Sequence, residues 1–387
     1  MVCQVKWMTS FIYSPVCLTL YMNNVCNLGC SYCYAHPVKP QRLGMGEKHL
    51  NLVEIMAGAE LVADNCQRQG KPMTLVFHGG GEPSLDEPMI DQALDKIEAL
   101  VNQRGLELFR YIATNGVVPT RRAGWLAERF DLVGISCDGP AEIQDVGRPL
   151  RIDKVGSMGR SSSCYVERTA RILQEAGKAF HVRVTVTPSS FHRQPEVARY
   201  ICETLLPQEI HVEPVYFHHE SGSSERVGEI DGFVEAQAQA YVDAFLEARR
   251  VAGSYGIPWL SSGTRPHEIH GRYCHIFRDV LNLVPGGAVT ACFKIGNSDE
   301  LAHSPLKIGQ VDEHTGRVVL DEERILWLRQ ELGQFPEECA ACFNKGHCTH
   351  FCPNYCPVTP AQLAGCLPQA ALFHCRVQFL LAGGGVL

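Results

Sequence analysis

Six short β-rich runs alternate with helical periodicity between residue 16 and about residue 256, and this alternation limits the fold more than any other feature. The runs are "VCLTLYMN", "MTLVFHGG", "LFRYIATNG", "LVGISCDGP", "HVRVTVTPS" and "EIHVEPVYF". In the fifth, Val182, Val184 and Val186 alternate with Arg183, Thr185 and Thr187, the period of two of a strand. Between runs, Leu52, Ile55, Met56, Ala59 and Val62 recur at helical spacing, as do Val234, Ala238, Tyr241, Val242, Phe245 and Leu246. Strands alternating with helices give an α/β fold, here a partial (β/α)6 TIM-like barrel with parallel strands. The turns of unusual chemistry all follow strands: a cysteine triplet, "GGGEP", "TNG", "SCDGP" and Glu213-Pro214. Barrels of this kind gather their sites at the C-terminal ends of the strands.

The triplet is "VCNLGCSYCY", with Cys26, Cys30 and Cys33 in a loop that Gly29 helps to turn. Structural zinc takes four closed ligands, and iron–sulfur clusters are normally held by four thiolates. Three close thiols therefore need either a remote fourth ligand or an iron left open to bind something else. The chain holds 18 cysteines in 387 residues, with 45% hydrophobic and 20% charged residues, an ordinary globular balance. No signal peptide and no bilayer-length apolar run is visible, which points to the cytoplasm, where such thiols serve as metal ligands rather than disulfides. A net charge of −7 leaves no basic footprint, so neither nucleic acid nor membrane is an expected partner.

Past residue 257 the alternation stops and thiols accumulate, so the expected division is residues 1–256 and 257–387. The second part holds Cys274, Cys292, Cys339, Cys342, Cys348, Cys352, Cys356, Cys366 and Cys375. A stretch so rich in thiols and so poor in periodicity is expected to organise around metal.

The C-x3-C-x2-C spacing, with Tyr32 before the last cysteine, resembles the radical S-adenosylmethionine superfamily. That resemblance implies a 4Fe–4S cluster on Cys26, Cys30 and Cys33 whose open iron chelates S-adenosylmethionine and cleaves it to a 5′-deoxyadenosyl radical. The cofactor carries the chemistry and the protein positions it. "GGGEP" resembles the family's GGEP turn, here Gly80, Gly81, Glu82 and Pro83, beside the methionyl ammonium. Ser136 matches a position reaching the ribose, Arg148 one pairing with the cofactor carboxylate, and Asn115 is a weaker match that also suits a turn cap. The later thiols, with C-x2-C-x5-C-x3-C from Cys339 to Cys352, resemble the SPASM domain and imply two auxiliary 4Fe–4S clusters. One would use Cys339, Cys342, Cys348 and Cys375, with Cys366 the alternative to Cys375. The other would use Cys274, Cys292 and Cys352. Its family ligand before Cys274 is missing from "RPHEIHGRY", leaving His267, Glu268, His270 or an open iron.

The resemblance extends to sulfatase maturases and to maturases of ribosomally made peptides, and implies a peptide or protein substrate and an external flavodoxin- or ferredoxin-type electron donor. In sulfatase maturases an aspartate follows the second of these cysteines and acts as base; here Phe293 and Lys294 follow Cys292. The expected product is therefore an oxidative crosslink, carbon–carbon, carbon–sulfur or carbon–oxygen. Oxidation of a single Cys or Ser to formylglycine is the alternative, and a non-enzymatic iron–sulfur or zinc module the alternative of another class. About fifteen residues precede the first strand, so a leader would be recognised by the barrel, the SPASM region or a separate leader-binding protein. No catalytic residue is assigned from the sequence.

Overall fold

The six β-rich runs form strands, and their neighbours in the sheet follow chain order. The structure is a computed structural model that describes residues 12–33, 35, 48–151, 161–215, 227–264, 274–292, 301, 304–333, 339, 341–348 and 369–383. Strands β1 (Cys17–Leu20), β2 (Met73–Phe77), β3 (Leu108–Thr114), β4 (Leu132–Ser136), β5 (Phe180–Val186) and β6 (Ile210–Pro214) pair in parallel, each with the next. Between them run α1 (Leu52–Gln69), α2 (Glu87–Gln103), α3 (Thr120–Arg129), α4 (Ala141–Gly147), α5 (Ser162–Glu175) and α6 (Gln194–Tyr200). Helix α7 (Val227–Ser254) then leads to a seventh parallel strand, β7 (Trp259–Ser261), beside β6. The α/β architecture expected from the alternation is thus present.

The sheet goes further than six strands. After the short helix α8 (His275–Arg278), β8 (Val280–Val284) joins the other side of β1 in parallel. From there β9 (Ala288–Thr290), β10 (Lys307–Asp312) and β11 (Arg317–Leu320) continue antiparallel to the edge. The resulting eleven-stranded sheet stays open, because β8 occupies the edge of β1 that closure onto β7 would need. Gly286 and Gly287, at φ of 88° and 72°, turn the chain from β8 into β9, a conformation that side chains with a Cβ avoid. These strands lie in a region whose thiol density hides a hairpin pattern. Among the described residues, a helix at Glu322–Gly333, a short helical turn at Phe343–Gly346 and a helix at Gln369–Leu381 follow.

The core lies between the sheet and its helices. Helix α1 buries Ile55, Ala59, Val62 and Cys66, and α7 buries Ala238, Tyr241, Val242 and Phe245. Cys66, Cys137 and Cys202 are fully buried and act as small apolar side chains, whereas Cys17 is half-buried. No helix among the described residues is long and apolar enough to cross a membrane.

Asn51 opens α1 by accepting from the Glu54 N–H at 3.0 Å, while the Glu54 carboxylate accepts from the Asn51 N–H at 3.0 Å. This reciprocal cap satisfies two backbone donors that the helix cannot. Asn51→Ala should destabilise the protein by about 1 kcal/mol, read as a lower denaturant midpoint with unchanged slope.

Candidate functional site

A cavity of about 460 Å³ opens at the C-terminal ends of the parallel strands. Cys26, Cys30, Tyr32, Cys33, Gly80, Gly81, Glu82, Asn115, Ser136 and Arg148 all line it. Of the residues assigned to this site, Pro83 alone does not. It is buried at the start of the short helical turn Pro83–Asp86.

The cysteine loop is held by backbone on two sides. Gly81 N donates to Asn23 O at 2.8 Å and Glu82 N to Val25 O at 2.7 Å, so the turn after β2 runs alongside the chain entering the loop. A Cβ on Gly81 would lie 2.0 Å from Val25 O, and one on Gly80 2.7 Å from Asn23 O. These glycines therefore admit the loop's own backbone as well as facing the cavity. On the other side Gly29 N donates to Pro149 O at 2.8 Å, Ser31 N to Gly147 O at 3.2 Å, and Arg151 N to Asn27 O at 2.9 Å.

Glu82 acts as a strut. Its carboxylate is 2% exposed and accepts from Ser84 N, Thr114 Oγ1 and Asn115 N at 3.1, 2.8 and 2.7 Å. Burial raises its pKa, and these hydrogen bonds oppose the rise. Asn115 caps its own turn, accepting from Val117 N at 2.8 Å, and also reaches the loop. Its Nδ2 donates to Asn27 Oδ1 at 2.8 Å and to Cys26 Sγ at 3.6 Å. Leu28 N donates to the same sulfur at 3.4 Å.

Arg148 is buried, and its Nε donates to Asp138 Oδ2 at 3.0 Å. The Tyr32 hydroxyl donates to that oxygen too, and Thr185 N donates to Asp138 Oδ1 at 3.0 Å. The guanidinium carbon lies 5.4 Å from the centre of the Tyr32 ring. Burial works against the arginine's charge, but Asp138, with Tyr32 and Cys30, together more than offset it and keep the group protonated. Asp138 was missed in the sequence although it stands in "SCDGP", where a carboxylate at a strand end was legible. His78 and His275 were missed as well. Both line the cavity, and burial drives their pKa values down to about 4 and about 3, so both imidazoles are neutral at pH 7. Nothing in their sequence surroundings marked them.

The described cysteines are all free thiols. Burial pushes Cys26 up to about 12 and raises Cys30, so a cation must displace protons to bind there. No three of the described thiols have their sulfurs all within 4.8 Å of one another. Tetrahedral zinc with Zn–S near 2.3 Å would need sulfurs roughly 3.8 Å apart. An all-thiol donor set held wider than a single ion fits an iron–sulfur cluster better.

Away from the cavity, Cys375 is exposed on one side, yet desolvation by the surrounding protein and then Cys339, Cys348 and Cys342 push it up to about 12, which places these four thiols near one another. Cys274 and Cys292 are joined through their neighbours, His275 N donating to Ala291 O at 3.2 Å. Cys352, Cys366, Phe293 and the "RPHEIHGRY" candidates His267, Glu268 and His270 lie outside the described residues.

Alanine at Gly81 has no room, and its Cβ meets backbone that cannot step aside. Gly81→Ala should therefore displace the cysteine loop and destabilise the protein by at least the roughly 1–3 kcal/mol of an overpacked core. Thermal unfolding, and chymotryptic cleavage after Leu28 or Tyr32 in the loop, would read it.

The Radical SAM superfamily model matches residues 20–201. The cysteine-type anaerobic sulfatase-maturating enzyme of Clostridium perfringens is 26% identical over 179 residues, 46% of this chain and 46% of that protein. The serine-type enzyme of Bacteroides thetaiotaomicron is 27% identical over 187 residues, 46% of this chain and 42% of its own. The chain thus matches about half the length of these relatives. Among solved structures, native anSMEcpe with bound AdoMet superposes with a TM-score of 0.66 at 17% identity, over 95% of this chain and 97% of that one. The same protein with AdoMet and the Kp18Cys peptide gives 0.62 at 20% identity, over 96% and 98%. Residues 20–201 carry a radical SAM domain, and the chain is similar in sequence and fold to the anaerobic sulfatase-maturating enzymes.

Proposed function

We propose that this chain is a radical SAM enzyme that removes a hydrogen atom from a residue of a peptide or protein and crosslinks it oxidatively. The observation that carries the reading is the convergence of three thiols, the glycine turn, Ser136 and Arg148 on one cavity at the strand ends. In this reading Cys26, Cys30 and Cys33 hold a 4Fe–4S cluster, which with S-adenosylmethionine supplies one-electron cleavage and a hydrogen-abstracting carbon radical. Asn115 and Leu28 hydrogen-bond the Cys26 sulfur, and such contacts tune a cluster's potential. Arg148, steadied by Asp138, offers a guanidinium suited to the cofactor carboxylate. Ser136, at the end of β4, is within the cavity for the ribose. Cys274, Cys292 and Cys352, and the set Cys339, Cys342, Cys348 and Cys375, are the proposed auxiliary ligands, and residues 257–387 the proposed unit that carries them.

Closing a crosslink removes two hydrogens in all: one as an atom, the other as a proton with an electron. His78 and His275 line the cavity as neutral imidazoles, and the depressed pKa of each makes it a weak base, so neither is assigned that proton. The likeness to both cysteine- and serine-type sulfatase maturases favours a second reading, oxidation of one Cys or Ser to formylglycine. Phe293 following Cys292 weighs against it, since an apolar ring cannot act as base.

Replacing Cys26, Cys30 and Cys33 together with Ala should abolish 5′-deoxyadenosine formation under anaerobic reduction while leaving iron at the later thiols. Cleavage that persists in this variant removes the assignment.

Arg148→Lys keeps the charge but loses the planar fork, so S-adenosylmethionine affinity should fall by an amount typical of a charge-assisted hydrogen bond, roughly 1.5–3 kcal/mol. Equilibrium dialysis with the labelled cofactor measures it.

The product is read by mass spectrometry on Cys-, Tyr- or Trp-bearing peptides encoded beside the gene. A crosslink gives loss of two hydrogens, suppressed fragmentation between two residues and no hydrazide adduct. A hydrazide adduct with normal fragmentation establishes formylglycine instead.

A further inference from the structure

At the opposite end of the sheet from the cavity, near the N-terminal ends of β5 and β6, three groups converge that the proposed reaction does not use. His181 is the second residue of β5, His211 the second of β6, and Glu209 lies just before β6. One donor atom from each lies within 4.8 Å of the other two, and no other group of three or more His, Cys, Asp or Glu among the described residues is so close. The imidazole centroids are 5.0 Å apart, and Glu209 Oε1 lies 2.8 Å from His211 Nε2.

The surroundings orient His181. The Tyr111 hydroxyl lies 3.1 Å from its Nε2, and the two rings stack at 5.5 Å. Gly134 makes this contact feasible, since a Cβ there would lie 2.2 Å from Tyr111 Oη and 2.7 Å from His181 Nε2. With Nε2 engaged by the phenol, Nδ1 is left buried and without a hydrogen bond. An orphaned imidazole nitrogen costs free energy unless something accepts its lone pair or its proton. Ligating histidines characteristically have their second nitrogen hydrogen-bonded in this way.

We propose that His181, Glu209 and His211 bind a divalent cation of the zinc class, which ties β5 to β6 and to the turn before β6. Two imidazoles and one carboxylate form a known zinc donor set that leaves a position for water. The carboxylate offsets one of the two charges. Arg183, opposite His211 in the strand register, opposes the cation and sets the affinity below that of an all-anionic site. The inference is independent of the reaction proposed above.

The test uses holoprotein reconstituted anaerobically with iron and sulfide, so that thiols are occupied, then equilibrated with equimolar zinc and desalted. Wild type should retain one zinc per chain beyond its iron, with Zn–N/O distances of about 2.0–2.1 Å and no sulfur shell near 2.3 Å in X-ray absorption. His211→Ala should lose that zinc at unchanged iron content, and Tm should rise with added zinc only in wild type. If His211→Ala fails to fold, Glu209→Gln alters a partly exposed carboxylate and should weaken retention about tenfold or more, the scale seen for lost metal-site partners. Zinc content equal in wild type and variant, a sulfur shell around the zinc, or no zinc retained overturns the proposal.

Discussion

The candidate site depends on one close approach of backbone to backbone. The turn after β2 lies against Asn23–Val25 through two hydrogen bonds, and only a residue without a Cβ fits at position 81. The three thiols begin one residue later. The cysteine loop has no regular structure of its own to fix it, and a loop this short cannot build a core. Its geometry has to be borrowed from neighbours that are already rigid. Here the lenders are the β2 turn, the Asn115 amide and the segment from Gly147 to Arg151. Each begins at the end of a parallel strand or of the helix after one, so the sheet fixes the loop at one remove.

Electrostatics follows from the same burial. Thiols raised by desolvation stay protonated until a cation arrives, so occupancy of the loop and its charge state are linked. Arg148 is the counterweight. Its pairing with Asp138 and its position over the Tyr32 ring keep a positive charge buried beside Cys30 without leaving it uncompensated. A buried arginine so held loses less freedom when it meets an anion than one reaching in from solvent.

Much of this was legible in the sequence for physical reasons. The alternation of periods two and 3.6 marked six strands, and every marked strand is present because buried parallel strands need apolar runs that few other elements carry. Strands β8 to β11 escaped notice although β8 and β10 are no shorter than β1, because they alternate with no helical pattern and lie in a region whose thiols suggested a different organisation. The cavity's polar residues divided in the same way. Those in glycine-rich turns announced themselves, and Asp138 could have been read from its place in "SCDGP". His78 and His275 could not, since a histidine after a strand or inside a four-residue helix carries no signal until the fold brings the two walls together. Glu82 was visible, but its task was not. Its three donors come from two separate turns, and only tertiary structure shows that the carboxylate is committed to holding them.

The two walls of the cavity come from different parts of the chain, and this bears on what the site would select. The thiols, the glycine turn, Asn115, Ser136 and Arg148 all fall within residues 20–201, the stretch that matches the superfamily. Glu213, Pro214, His275 and Arg278 line the cavity from beyond that stretch. A wall built for a common cofactor can keep its chemistry across relatives that act on different substrates, because the cofactor presents the same groups each time. Residues that reach the cavity from outside the matched stretch are free to differ. Likeness over the matched half therefore argues strongly about the cofactor and weakly about the product. In the proposed enzyme, the choice between a crosslink and an aldehyde rests on the second wall. There the neutral imidazole of His275, the Arg278 guanidinium and the Glu213 carboxylate are the polar groups that a substrate side chain near the radical would meet.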